Sequence, residues 1–384
     1  KSYYITETKA PAGYVRSDEK YTFTFNYLSN TVASASFSHV FKNDRVKAKI
    51  SLYKVDEKTG RAAAQGDGTL KGAVYGLYAR EDIVHSDGKK GVIYKKDALI
   101  KKLTTDEKGQ ASVSDLYLGK YYVKEITPSE GYVLDKQEHD VVCSYKDDKT
   151  AEIAQKVTSK ETPITQPFQL IKVALKGSDT EADVLEGAGF TAYLKSSLKV
   201  KKDGSYDFKN STPVVITEDG KTTMYTDKTG YACSVALPYG TYVVIESVTP
   251  KDMETIKPFE VNIKKNSPTT PQVWRVFLDK EFSAKLRIVK KDSTTGRTVL
   301  KPDATFRIYN RDTKKYVTMI TTYPSKVKHD KFSTDGDGDL ILPEKLPVGN
   351  YRIEEVNAPD GYILNKNYAD ISISSKSAYE VDAD

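Results

Sequence analysis

One twelve-residue pattern occurs four times in this chain, and its recurrence limits the possible folds more than any other feature. The copies are Tyr3 to Tyr14 (YYITETKAPAGY), Tyr121 to Tyr132 (YYVKEITPSEGY), Tyr242 to Met253 (YVVIESVTPKDM) and Tyr351 to Tyr362 (YRIEEVNAPDGY). Their central acids, Glu7, Glu125, Glu246 and Glu355, follow at intervals of 118, 121 and 109 residues. A second series ends in lysine: Ile50-Ser51-Leu52-Tyr53-Lys54, Phe168-Gln169-Leu170-Ile171-Lys172 and Leu286-Arg287-Ile288-Val289-Lys290. Its lysines are 118 residues apart both times. Two independent series with nearly one period mark internal repeats, each a unit of structure.

Further landmarks keep the same order. After each lysine comes an Ala and an alternating apolar run, at Ala73 to Tyr78, Ala188 to Tyr193 and Ala304 to Tyr309. A turn follows at Thr105 to Gly109, Thr226 to Gly230 and Thr334 to Gly338, where Asp and Gly suit a tight reversal with positive φ. Gly119, Gly240 and Gly349 then precede the glutamate strands. Short alternating runs divided by turn residues, with no long stretch of helical period, predict tandem β-sandwiches. The fold class expected is all-β, with tandem Ig-like modules in a stiff rod. Boundaries fall near residues 46, 163 and 282. Residues 1–46 hold the second half of a module, 47–163 and 164–282 hold whole ones, and 283–384 hold one that stops before its final strand.

Strand period is two, so parity gives facing. Lys54 falls with Ile50 and Leu52, Lys172 with Phe168 and Leu170, Lys290 with Leu286 and Ile288. Glu7 falls with Tyr3 and Ile5, Glu125 with Tyr121 and Val123, Glu246 with Tyr242 and Val244, Glu355 with Tyr351 and Ile353. Seven charged residues on the apolar face of their strands outweigh the simpler reading of side chains snorkelling at strand ends. A buried, unpaired charge costs several kcal/mol. Burial drives the lysine toward the neutral amine and the glutamate toward the neutral acid. A neutral amine is a nucleophile; what it lacks is an electrophile, an Asn or Asp side chain on a neighbouring strand.

The place for one is the last strand of each module, eleven residues before the next lysine: Asn43 before Lys54, Asp279 before Lys290. Before Lys172 the position holds Glu161, flanked by Ser159 and Lys160, which is neither Asn nor Asp. The 47–163 module is therefore expected to lack a cross-link. By parity Asp279 falls with Phe277, Arg275 and Val273, whereas Leu278, Val276 and Trp274 read as the core-facing set.

These residues resemble the Cna B-type (SpaA-like, prealbumin-like) domains of Gram-positive surface adhesins and pilins, over essentially the whole chain. Glu7 to Tyr14 and Glu355 to Tyr362 look like that family's E-box; Lys54-Val55-Asp56 and Lys290-Lys291-Asp292 look like its first-strand lysine motif. The resemblance implies spontaneous intramolecular isopeptide bonds between Lys and Asn or Asp, promoted by the strand-borne Glu. Carried over, Lys172 is the nucleophile, Glu246 the proton shuttle and Asp279 the electrophile. Glu7 and Asn43 form a partial triad whose lysine would precede the chain. Lys290 and Glu355 form another, whose partner would lie beyond Asp384. Lys54 and Glu125 are left with an uncertain partner. The same resemblance implies an extracellular, wall-anchored protein, with its anchor outside this internal stretch.

The remaining features narrow the alternatives. Lys and Arg number 59 against 53 Asp and Glu, a net charge of +6 spread without a basic block, so nucleic acid is not expected as a partner. No apolar run is long enough for a membrane span. His39, His85, His139 and His329 are scattered, and no nucleophile elbow, metal cluster or phosphate loop is present. No enzyme, cofactor or metal is expected beyond single-turnover self-cross-linking. The Asp335 to Asp339 run resembles a calcium loop, but its homologues are plain turns and no bidentate Glu follows. Cys143 and Cys233 sit in strand-like runs of different repeats and read as buried hydrophobes rather than a disulfide. The leading function is a structural stalk whose partners are other modules of the same polypeptide. The alternative is a module that binds host extracellular matrix or glycans through loops of variable length, such as Ser196 to Thr223.

Overall fold

The computed structural model describes residues 1–27, 29–31, 34–175, 182–322 and 324–376. Among them the regular structure is almost wholly strand, in tandem repeats of paired sheets; its helical segments include two short 3-10 turns, Lys195–Ser197 and Phe208–Asn210.

In the second repeat segment one antiparallel sheet runs Glu138–Cys143, Gly119–Thr127, Val74–Ala79, Leu99–Thr104. A second sheet runs Glu152–Glu161, Lys47–Asp56, Gln110–Leu116, its first pair parallel and its second antiparallel. Within the strand Lys47–Asp56, residues 48–56 alternate between buried and half-buried, as in a strand lying on a core. Its inward set, Ala48, Ile50 and Leu52, meets Tyr75, Leu77, Tyr121 and Val123 of the facing sheet in one apolar cluster.

The plan recurs downstream. Thr223–Tyr225, Gly189–Leu194, Gly240–Val248 and Phe259–Ile263 form a sheet opposite Gln169–Leu175, which pairs with Tyr231–Cys233 antiparallel and Arg275–Lys280 parallel. Phe168, Leu170, Phe190, Tyr242 and Val244 fill the space between. In the last segment Lys315–Tyr316, Thr305–Asn310, Gly349–Asn357 and Tyr368–Ile373 form the larger sheet, and Arg287–Val289 pairs with Asp339–Ile341. Each core holds a buried tyrosine whose hydroxyl donates to a carbonyl four residues upstream: Tyr121 to Tyr117, Tyr242 to Pro238, Tyr351 to Pro347. That bond satisfies the polar tip of an otherwise apolar ring, which burial requires.

The long loop after Gly189–Leu194 is mostly exposed but is anchored at a few points. Leu198 packs with Tyr193 and Val243, and Tyr206 and Phe208 lean on that cluster. Cys143 is buried and Cys233 half-buried, both as free thiols. Burial pushes the Cys143 thiol up to about 11, far from the reactive thiolate.

The first 46 residues depart from expectation. Ser2–Thr6 pairs with Lys20–Thr24 in a two-stranded sheet, and no opposing sheet covers it among the described residues. Tyr3 and Ile5, expected to share a buried face with Glu7, are exposed because that second layer is missing. No helix among the described residues is long and apolar enough to cross a membrane.

Candidate functional site

Three devices bring a lysine and a glutamate together between the sheets. The first is the predicted turn. Gly109, Gly230 and Gly338 all have positive φ, near 70°, 72° and 76°. Each offers its carbonyl to the backbone N–H of a repeat lysine: Lys54 at 2.8 Å, Lys172 at 2.8 Å and Lys290 at 3.0 Å. A Cβ on Gly230 would stand 2.5 Å from the Lys172 carbonyl oxygen, so only glycine allows this approach.

The second device is a bulge beside each glutamate. Tyr75 pairs with Glu125 but Val74 with Thr127; Phe190 pairs with Glu246 but Gly189 with Val248; Phe306 pairs with Glu355 but Thr305 with Asn357. The extra residue ends the regular ladder there and re-aims the side chains beside it.

The third device is a backbone donor ten residues beyond each acid. The N–H of Ser17, Asp135, Ile256 and Asn365 donates to Glu7, Glu125, Glu246 and Glu355 at 2.7, 2.8, 2.9 and 2.8 Å. The segment after the glutamate strand, with its Pro and a positive-φ residue (Gly13, Gly131, Asp252 or Gly361), folds back to deliver this bond. Neither the bulge nor the donor was anticipated from sequence, although the constant ten-residue offset is there to be read.

The side chains then meet. Lys172 Nζ lies 3.2 Å from Glu246 Oε2 and in direct contact with Asp279 Oδ1, all three side chains fully buried. Neither oxygen of Asp279 receives a well-aligned hydrogen bond among the described residues, nor does Glu246 Oε1. Burial is the main cause that pushes the Asp279 carboxyl up to about 6, against the opposing pull of Lys172. Phe190 and Phe277 make the surroundings apolar.

Asp279 gets there on the face that parity made the less core-like. Phe277 and Asp279 point inward, while Trp274, Val276 and Leu278 are 53%, 63% and 47% exposed. The expectation that those three form the core side is corrected: Arg275–Lys280 lies parallel to Gln169–Leu175, and its outer face carries them, with Trp274 against the Tyr231 ring at 5.1 Å.

At the first lysine, Lys54 Nζ lies 3.1 Å from Glu125 Oε1 and 3.1 Å from Glu161 Oε2, again with all side chains fully buried. Burial, the largest cause, raises the Glu125 carboxyl above its usual range. Glu161 Oε1 accepts hydrogen bonds from the Tyr75 and Ser159 hydroxyls, both at 2.6 Å. Tyr75 and Ser159 were not singled out by their sequence. Ser159 further contacts His139, which contacts Asp135.

The partial triads are more open. Lys290 Nζ lies 2.6 Å from Glu355 Oε1, with 14% and 2% of the side chains exposed. Asn43 Nδ2 donates to Glu7 Oε2 at 2.6 Å and to the Val15 carbonyl at 2.8 Å. Asp335, at the acidic run, turns its carboxylate onto the N–H groups of Asp337 and Asp339, as an Asx turn does.

Comparison with known proteins follows this geometry. A family model described as the SpaA prealbumin-like fold domain matches residues 48–158, 171–275 and 284–384. Among solved structures, the Bacillus anthracis TIE protein is 25% identical over 86% of this chain and 49% of its own, with a TM-score of 0.42. The chain thus spans about half the length of that protein. A streptococcal ancillary pilin is 19% identical over 85% of this chain and 95% of its own, at a TM-score of 0.30. The major pilin subunit of Bacillus cereus is 19% identical over 86% and 96%, at 0.27. No curated protein matches the chain.

Proposed function

The chain belongs to the family of SpaA prealbumin-like fold domains, and from that premise we propose that it is a structural stalk of a Gram-positive surface adhesin or pilin, stiffened by self-made isopeptide bonds. The units divide near residues 46, 163 and 282, and their partners are one another.

The observation that carries this reading is the fully buried trio Lys172, Glu246 and Asp279. One amine and two carboxyls share that pocket. In the neutral arrangement Lys172 attacks the Asp279 Cγ, a C–N bond forms, and an Asp279 oxygen leaves as water. Glu246 accepts a proton from the nitrogen and returns one to the departing oxygen, ending as it began. Folding has already set the reactants in contact, which replaces a bimolecular encounter by a high effective molarity. Each site reacts once, so the process is maturation. The product ties a unit's first strand to its last, and tension along the chain passes through that bond rather than through the hydrogen bonds that pair the two strands.

Peptide mapping of the denatured full chain tests it. The expected result is a branched peptide joining Lys172 to Asp279, lighter than its parts by one water and missing from K172A and E246A chains. Recovery of Lys172 and Asp279 on separate, unmodified peptides overturns the reading.

A further inference from the structure

We propose that Lys54 and Glu161 also condense, forming an amide between the lysine Nζ and the glutamate Cδ, so that a glutamate serves where the other site uses an aspartate. The inference rests on the self-condensation chemistry proposed for Lys172 and extends it to a residue type that sequence reasoning set aside.

The backbone places Glu161 in the same seat as Asp279. Both lie on a strand parallel to the lysine strand. Asp279 is opposite Ala174, two residues beyond Lys172; Glu161 is opposite Asp56, two residues beyond Lys54. The longer side chain then needs room for one more methylene, and the pocket differs in that sense. The residue facing the lysine across the strand pair is Phe277 at one site and Ser159 at the other. The Glu161 carboxyl folds back beside Ser159, within 2.6 Å of its hydroxyl.

Its two oxygens have different surroundings. Oε1 holds both hydroxyl donors, Tyr75 and Ser159. Oε2 faces Lys54 at 3.1 Å and receives no well-aligned hydrogen bond among the described residues. Two fixed donors on one carbonyl oxygen are what an acyl-transfer intermediate requires for its developing negative charge. Oε2 is the oxygen free to leave.

The proton count also matches the Lys172 site. Each pocket holds one amine and two carboxyls out of water. Two buried like charges beside one cation are costly, and burial raises the Glu125 carboxyl here as it raises Asp279 at the other site, which favours a proton on one acid of each pair. Moving one proton from Lys54 to a carboxylate gives the neutral amine and two neutral acids. Lys54 Nζ then attacks Cδ, the C–N bond forms, and the bond from Cδ to Oε2 breaks. Glu125, 3.1 Å from Nζ, takes one proton from nitrogen and supplies one to Oε2, which departs as water. No oxidant or co-reactant is needed.

The test is mass mapping of the denatured full chain, wild type and K172A. The expected product is a branched peptide joining Lys54 to Glu161, short of one water, present in both chains. Its presence in K172A separates this bond from the one at Lys172, and either can fail alone. E161Q should yield the same linked product, since its amide nitrogen leaves as ammonia, whereas E125A should leave Lys54 free. Lys54 and Glu161 recovered from the wild type on separate, unmodified peptides would overturn the proposal and leave a buried ion pair. That readout needs no variant to fold.

Discussion

At Lys54 and at Lys172 the same three chemical groups meet, one amine and two carboxyls, but two neighbours differ. Where Tyr75 pairs across from Glu125, Phe190 pairs across from Glu246; where Ser159 lies opposite Lys54, Phe277 lies opposite Lys172. The lining of the Lys172 pocket is therefore more apolar, and Asp279 receives no well-aligned hydrogen bond there among the described residues. The Lys54 pocket supplies two hydroxyls, and its Glu161 is held by both. The lesson is that one backbone plan sets which groups meet, while the lining decides how strongly the acid is restrained.

The comparison breaks most sharply at Lys172 itself. If the Lys172 to Asp279 bond closes a 107-residue loop, then by analogy with a disulfide K172A should destabilise its unit by ~4–5 kcal/mol. Denaturant unfolding of both chains measures this, and superimposable curves would mean that no covalent tie exists there. Y75F acts at the other site and should cost about 1–3 kcal/mol, because Glu161 Oε1 loses one of two buried donors. Loss of the Lys54 to Glu161 branched peptide in Y75F would further assign that hydroxyl to the condensation.

A pH scan sharpens the contrast. The Asp279 carboxyl is raised from 3.8 to about 6, chiefly by burial. A carboxyl raised on folding binds its proton more tightly in the folded state. Its stabilisation is complete below the unfolded value and is lost as pH rises through the folded one. In an unlinked E246A chain, which keeps burial as the main cause, stability should therefore fall as pH rises above 3.8. The linked wild type has no such carboxyl left to titrate and should lack that fall; matching profiles would argue against the bond. The smallest effect belongs to the half-exposed Glu7. Ser17 and Asn43 can turn to water when it is removed, so E7A should cost about 1 kcal/mol or less.

Much of this was legible in the residues. The period, the all-β class, the turn at Thr226 to Gly230 and the inward facing of Lys54, Lys172, Glu125 and Glu246 follow from alternation and turn chemistry. Asp279 was legible only by its distance from the next lysine. Its apolar neighbours misled, because an outward strand face can carry Trp274, Val276 and Leu278 exposed, with the Tyr231 ring against Trp274. Tyr75 looked like one more core aromatic, since nothing in a linear pattern says that its hydroxyl meets Glu161, 86 residues on.

The sequence by itself determined the repeats, the strand faces and which residue types had to share each interior, because alternation and glycine turns are local constraints that repetition makes unmistakable. The tertiary structure decided which carboxyl reaches which amine, what lines each pocket and which oxygen is left free. Those depend on strand register and bulges across chain separations of 65 to 107 residues, where shifts of a few ångströms separate a contact from none.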